Sequence, residues 1–288
     1  MTSRGMLAYA HARIRAAKSR LLTRTDAAPL FAAADDTAMQ RVLAALEIAD
    51  PLRRAVRVYQ TAIRGYRDAA PLFRALLQRH EIENVKLLWR VTANRRRRDA
   101  IAPLWLDLAP LATVSIVDAA NPHELAERLS RTPYAGIAAT VARVHGNDVA
   151  GAELAFDRWV SQRLLEEARR LPHRESAARR LVELVVRERD AELVRRGPKW
   201  YGLTSVAGPS EDAAALRRAR LRLCRRAFVG SPFLLAPAVA VILLAEEEAR
   251  AVRALVERQG DAGLADAGER NADQAVALYR RIVCEAAP

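Results

Sequence analysis

Three consecutive glutamates, Glu246, Glu247 and Glu248, form the densest acidic cluster in the chain. A carboxylate pair can act as general acid and base, but only where both groups converge on one reacting bond. Neighbouring residues on a helix project in different directions. Three glutamates in a row therefore diverge, and they are expected, like most carboxylates here, to line a solvated helix face. The five histidines, His11, His80, His123, His145 and His173, are too dispersed for a ligand cluster, and Cys224 and Cys284 lack metal-type spacing. Two distant cysteines fit a reducing compartment without a disulfide framework. No P-loop, dinucleotide-binding glycine fingerprint or HExxH is present. The nearest approach to a nucleophile elbow, Gly202 to Ser205, has the wrong spacing. The expectation is no catalytic, cofactor-binding or metal-binding residue, and so no enzyme activity residing in this chain alone.

Chemistry of recognition is better represented. Lys and Arg number 47 against 34 Asp and Glu, giving a net charge of +13, and only Lys18, Lys86 and Lys199 are lysine. An Ala- and Arg-rich codon bias accounts for many of the arginines, which are spread over nearly every predicted helix. The functional alternative is attraction to an acidic partner: nucleic acid, anionic headgroups or an acidic protein surface. The one dense run, Arg95-Arg96-Arg97-Arg98, follows a predicted helix and suits the negative end of its dipole. A basic all-helical nucleic-acid-binding protein is thus one reading. Against it stand the lack of helix-turn-helix or zinc-finger spacing and the 5% aromatic content, too low for a stacking platform.

The elements that must position these groups are helices. Ala and Leu dominate an apolar fraction of 51%, and such residues lose the least freedom in a helix. Helical spacing predicts segments at about 4–23, 37–49, 51–66, 72–92, 122–130, 149–171, 174–196, 211–226, 233–258 and 271–285, with a shorter one between Thr132 and His145. Leu52, Val56, Tyr59 and Ile63 mark the expected core stripe of 51–66, and Leu76, Leu77, Val85, Leu88 and Trp89 that of 72–92. Asn121-Pro122 reads as a helix start, Gly146 as a C-cap and Gly197-Pro198 as a stop. Pro103 and Pro110 break 100–117 into short pieces. No strand is predicted, so the fold class is all-α. The apolar run 233–245 falls short of the roughly 20 residues that span a bilayer. It ends in the three glutamates and is expected as a buried core helix, with any membrane contact made through partners. The N-terminus carries no apolar stretch of signal-peptide length.

A weak repeat connects three of the long helices: HEIENVKLLWR at 80–90, VVRERDAELVR at 185–195 and AEEEARAVRAL at 245–255. Glu81 and Asn84 lie three apart on one face of the first. Val186 with Arg189, and Glu248 with Ala251, take the corresponding places.

Read in order, several segments resemble the family of the V-type ATPase C subunit of bacteria and archaea, whose eukaryotic counterpart is the d or 39-kDa subunit. The stretch 9–22, YAHARIRAAKSRLL, is similar to that family's opening helix. HEIENVKLLWR matches its acid-x-x-Asn helix through Glu81, Asn84 and Arg90. LSRTPYAG, 129–136, carries its Thr-Pro-Tyr turn in Thr132, Pro133 and Tyr134, and ELAFDRWVSQRLL, 153–165, resembles the helix that follows. In 231–256, Glu246, Glu248, Arg250 and Arg253 match a Lys-Glu-x-Glu-x-x-Asn-(Leu)-Arg pattern. The chain departs from that pattern at Ala245 and Ala251, and in the middle repeat at Val186 and Arg189. It is a divergent copy.

The resemblance implies three similar helical lobes, approximately 1–105, 106–202 and 203–288, arranged as a funnel without a sheet core. It implies a non-catalytic socket in the central stalk of a V/A-type rotary ATPase. There the protein would link the rotor shaft to the membrane ring during ion transport, peripheral on the cytoplasmic face of the membrane. No cofactor or small-molecule substrate is implied. Arg90, Arg95, Arg96, Arg97, Arg98, Arg250 and Arg253 are the candidates for contact with acidic groups on the shaft or ring.

Overall fold

The computed structural model describes residues 3–22, 24–33, 36–46, 51–94, 119–200, 211–229 and 233–260. Among them every regular element is a helix. The α-helices are α1 (Ser3–Ser19), α2 (Arg24–Ala32), α3 (Asp36–Ala45), α4 (Pro51–Gly65), α5 (Ala70–Ala93), α6 (Pro122–Arg128), α7 (Ala135–Val144), α8 (Val149–Arg169), α9 (Ser176–Trp200), α10 (Ala213–Arg226) and α11 (Ala236–Gly260). Single 3-10 turns at Arg67–Ala69, Leu129–Arg131 and His173–Glu175 lead into or out of them. The predicted segments 100–117 and 271–285 lie outside the described residues.

The expected punctuation is where cap chemistry puts it. Asn121 is the N-cap of α6, its side chain accepting from Glu124 N–H at 3.0 Å, with Pro122 in the first turn. Glu124 reaches back to accept from Ala120 N–H at 2.7 Å. Gly146 ends α7 with φ of +51°, a left-handed conformation that glycine adopts without steric cost. Asp148 then caps α8 by accepting from Gly151 N–H at 3.1 Å.

Two expectations need correction. Helix α9 does not stop at Gly197-Pro198 but runs on to Trp200. Proline there removes one backbone hydrogen bond, and only from the final turn, where its loss is least disruptive. Helix α2 has no counterpart in the predicted set, because Pro29 lies inside it.

The chain divides into two compact units. The first comprises 1–70 and 221–288. In it α4 packs against both α1 and α11, and α3 also meets α2 and α11. Tyr59 is buried as expected, but Val56 and Ile63 are only half-buried, and the core stripe of α4 runs through Ala55, Val58, Tyr59 and Ala62, continued by Tyr66 just past its end. Two neighbouring helices claim that side, and small alanines let them approach. At its C-terminal end a Cβ on Gly65 would stand 2.4 Å from the Ala10 Cβ, so only glycine permits that closeness. Leu30, Met39, Leu43 and Val252 form a further cluster. Ala236 and the run from Ala238 through Leu243 of α11 are buried, as expected of an apolar core helix.

The second unit spans 71–220. Here α8 and α9 pair, α7 packs on α6 and α8, and the core includes Trp89, Phe156, Tyr134, Leu164 and Leu181. The Trp89 and Phe156 rings meet edge-to-face at 5.3 Å, and Trp89 Nε1 donates to Gly146 O at 3.2 Å. That bond satisfies the indole N–H that burial would otherwise strand.

Candidate partner-binding residues and the buried polar layer

The three repeat segments sit at one depth in three helices of matching length. Helices α5, α9 and α11 have 24, 25 and 25 residues, and each segment begins nine or ten residues in. A 3-10 turn precedes α5 and another precedes α9, and the backbone at Ala70 and Ser176 has the same φ of −54° and ψ of −36°.

In the second unit the α5 segment is buried on several faces. Ile82, Val85, Leu88 and Trp89 are core, yet Glu81, Asn84, Lys86 and Thr92 are buried too. Lys86 Nζ donates to both Asp157 carboxylate oxygens, at 3.0 and 3.1 Å, and to Glu83 Oε1 at 3.1 Å. Arg189 donates to Glu83 at 3.0 Å and also to Asp157. Two cations and two carboxylates thus fasten α5, α8 and α9 together. Burial opposes the charge of Glu83, but Lys86 and Arg189 outweigh it and hold its carboxyl below the usual glutamate range. Nearby, burial raises Asp190, against the opposing hydrogen bond that Ser161 donates at 3.0 Å.

Glu81 accepts a hydrogen bond from the Tyr134 hydroxyl. Burial raises the Glu81 carboxyl, partly offset by that bond. Burial, then the Glu81 charge and hydrogen bond, push the Tyr134 phenol well above its ordinary value. The Thr132-Pro133-Tyr134 turn aims this hydroxyl. Thr132 Oγ1 donates to Leu129 O at 2.7 Å and accepts from Tyr134 N–H at 3.2 Å, while Pro133 faces outward.

In the first unit, Glu246, Glu247 and Glu248 are each buried to within 4% exposure, which corrects the solvated-face expectation. They do diverge. Glu246 accepts from the Tyr59 hydroxyl, Glu247 from Arg250 at 2.9 Å, and Glu248 from Leu22 N–H at 2.7 Å. Glu153, Asp157, Glu167 and Glu175 are buried as well. Helices packed on more than one side have too little solvated face to hold all their carboxylates.

The predicted site residues therefore divide. Arg90 pairs with buried Glu153, and Arg250 with Glu247, standing 4.0 Å from Glu246. Each keeps over 40% of its side chain exposed, so each could still reach a partner. Arg95, Arg96, Arg97 and Arg98, and the side chain of Arg253, lie outside the described residues. Lys86, Asp157, Glu153 and Tyr59 escaped sequence reasoning. The available signal was Lys86 itself, a rare lysine within an apolar stripe. Arg189, read only as a departure from the repeat, is the second cation of the layer.

Among the described residues no group of three or more His, Cys, Asp or Glu is placed to hold a metal, and no helix is long and apolar enough to cross a membrane. Cys224 is a free, buried thiol.

The family model described as ATP synthase (C/AC39) subunit matches residues 52–201, just over half of the 288. The chain belongs to this ATP synthase C/AC39 family, the one its ordered motifs resemble. The match contains Glu81, Asn84, Arg90 and the Thr132-Pro133-Tyr134 turn; the 9–22 and 231–256 segments fall outside it. Comparison with curated proteins gives no match.

Proposed function

We propose that this chain is the non-catalytic socket of the central stalk in a V/A-type rotary ATPase, joining the rotor shaft to the membrane ring. The observation that carries the reading is the family match over α4 to α9. Its physical support is the ionic layer of Lys86, Asp157, Glu83 and Arg189, which ties three helices together. A part that transmits torque must resist shear between its helices, and close packing with satisfied buried polar groups provides that stiffness.

In this reading the chain forms three lobes, near 1–105, 106–202 and 203–288, which make a funnel on the cytoplasmic face of the membrane. Ion transport is coupled to ATP turnover elsewhere in the complex. Arg95 to Arg98, Arg253 and the exposed parts of Arg90 and Arg250 meet acidic groups of the shaft or ring.

The experiment is affinity purification of the tagged full chain from detergent-solubilised membranes of its native cells. Shaft and ring proteins are expected to co-purify, and charge reversal at Arg95 to Arg98 is expected to weaken their retention. A chain recovered from intact cells without any other ATPase component overturns the proposal.

A further inference from the structure

A cavity of about 480 Å³ lies in the first unit between α1 and α4, lined by Tyr9, Arg13, Arg57, Gln60, Thr61 and Arg64. Its walls follow from helical spacing. On α4, residues 57, 60, 61 and 64 fall at i, i+3, i+4 and i+7 and share one face; on α1, residues 9 and 13 are one turn apart. Ala10 and Gly65 close one end, where the helices come nearest.

Three guanidinium groups face this cavity without a carboxylate. Among the described residues neither Arg13, Arg57 nor Arg64 forms an ion pair. Arg74 and Arg143 form none either, so what sets the three apart is their convergence on one cavity. Other arginines do pair, among them Arg90, Arg128, Arg187, Arg189, Arg195, Arg220 and Arg250. Arg13 is held in place: Nη1 donates to the Tyr9 hydroxyl at 3.1 Å, and the guanidinium stands 5.7 Å from the Tyr9 ring centroid. The Gln60 amide adds a hydrogen-bond donor between Arg57 and Arg64, whereas the Thr61 hydroxyl already donates to Arg57 O at 2.8 Å. An adjoining cavity of about 700 Å³ shares Arg13, Arg57 and Thr61 but includes Asp26, whose charge disfavours an anion there. The anion site is therefore the corner between Arg13, Arg57 and Arg64.

We propose that this cavity binds a phosphate-bearing ligand, its oxygens held by Arg13, Arg57 and Arg64. Guanidinium forks match phosphate oxygens two at a time, and the volume falls within the roughly 300–1,000 Å³ range of small-ligand sites. The phosphate can belong to a free phosphorylated molecule or to an anionic phospholipid headgroup. The site is separate from the partner contacts proposed above and holds whether or not those contacts form.

The test uses the full chain and two probes. Inorganic pyrophosphate is titrated calorimetrically. Vesicles of phosphatidylcholine, with and without phosphatidylinositol 4-phosphate, are used for co-sedimentation at physiological salt. The site variant is Arg13→Gln/Arg57→Gln/Arg64→Gln. The control variant, Arg74→Gln/Arg143→Gln/Arg174→Gln, removes equal charge from exposed positions elsewhere. Circular dichroism verifies that both remain folded. The site variant is expected to weaken binding by about tenfold or more, and the control by far less. Loss confined to pyrophosphate identifies a free phosphate ligand; loss confined to the phosphoinositide vesicles identifies a headgroup. Failure of both probes to bind, or equal losses in the two variants, overturns the proposal.

Discussion

Each unit buries carboxylates against hydroxyl and cationic donors, but the cations differ in burial. In the second, Asp157, 1% exposed, meets the charges of buried Lys86 and mostly buried Arg189 between α5, α8 and α9, with Glu83 at the edge of the layer. In the first, Glu246 and Glu248 on α11 accept from the Tyr59 hydroxyl and the Leu22 N–H, and the cation beside Glu246 and Glu247, Arg250, keeps 46% of its side chain exposed. A buried charge paired with a charge fixes geometry tightly but is costly to break, whereas a neutral donor contributes less and its loss strands less. The contrast predicts a larger cost for breaking the ionic layer of the second unit than for removing a hydroxyl donor from the α11 glutamates.

The sharpest way to break this contrast is Lys86→Met. It leaves Asp157, 1% exposed, with one cation instead of two, at an expected cost of about 3–5 kcal/mol. The thermal unfolding midpoint should fall accordingly. Removing the carboxylate as well, in Lys86→Met/Asp157→Leu, should recover part of the loss, since an apolar replacement strands no charge there. A single-variant cost under about 1 kcal/mol would make the layer no stiffer than a surface network.

Tyr59→Phe is the matching experiment in the first unit. It removes one donor from Glu246 and is expected to cost about 1–3 kcal/mol, less than Lys86→Met. A cost equal to or above that of Lys86→Met would erase the distinction between charged and neutral pairing.

Acid titration sharpens the comparison inside the second unit, because its carboxyls shift in opposite directions. Glu83 is lowered, so its contribution is present above the ordinary glutamate value and is lost as pH falls through its folded value. Glu81 is raised, so its contribution is full below the ordinary value and declines as pH rises through its folded value. Glu81→Gln keeps an acceptor for Tyr134 but removes the proton. The variant should gain stability at pH 7 relative to pH 4 when compared with the parent chain. Identical midpoint differences between those pH values would show that Glu81 ionises freely.

How far sequence reached can be read from the same helices. Boundaries were legible where local chemistry sets them, as at Asn121-Pro122 and Gly146. They were misread at the end of α9, where Pro198 falls inside the last turn, and α2 was not anticipated at all. The family motifs were legible as spacing, and Glu81 and Tyr134 proved to be partners although 53 residues separate them. The burial of Glu246 to Glu248 was not legible. A run of three glutamates has the pattern of a solvated face, and only the convergence of α1, α4 and α11 reveals otherwise. Asp157 and Lys86 were hidden for the same reason: their pairing spans 71 residues, and periodicity reports on one helix at a time.

The smallest expected effects concern Arg90 and Arg250, the two predicted interface arginines whose side chains are described. Both already hold carboxylates within their own unit, yet each keeps over 40% of its side chain exposed. Water screens the exposed end of each pair, so Arg250→Gln should cost only about 0–1 kcal/mol in the isolated chain. Arg90→Gln should cost about as much, because Glu153 and Glu247 are equally buried, 4% and 3% exposed, and each loses its cation. An interface role predicts a different ranking in the assembled complex. A half-exposed arginine that becomes desolvated against an acidic partner typically costs about 2–5 kcal/mol when truncated, far beyond its contribution to folding. Each variant is therefore measured twice, by thermal unfolding alone and by retention of partner proteins in the affinity purification. Loss of retention with little change in unfolding assigns the residue to the interface. Parallel losses in both measurements assign it to the fold, and leave Arg95 to Arg98 and Arg253 as the candidates for partner contact.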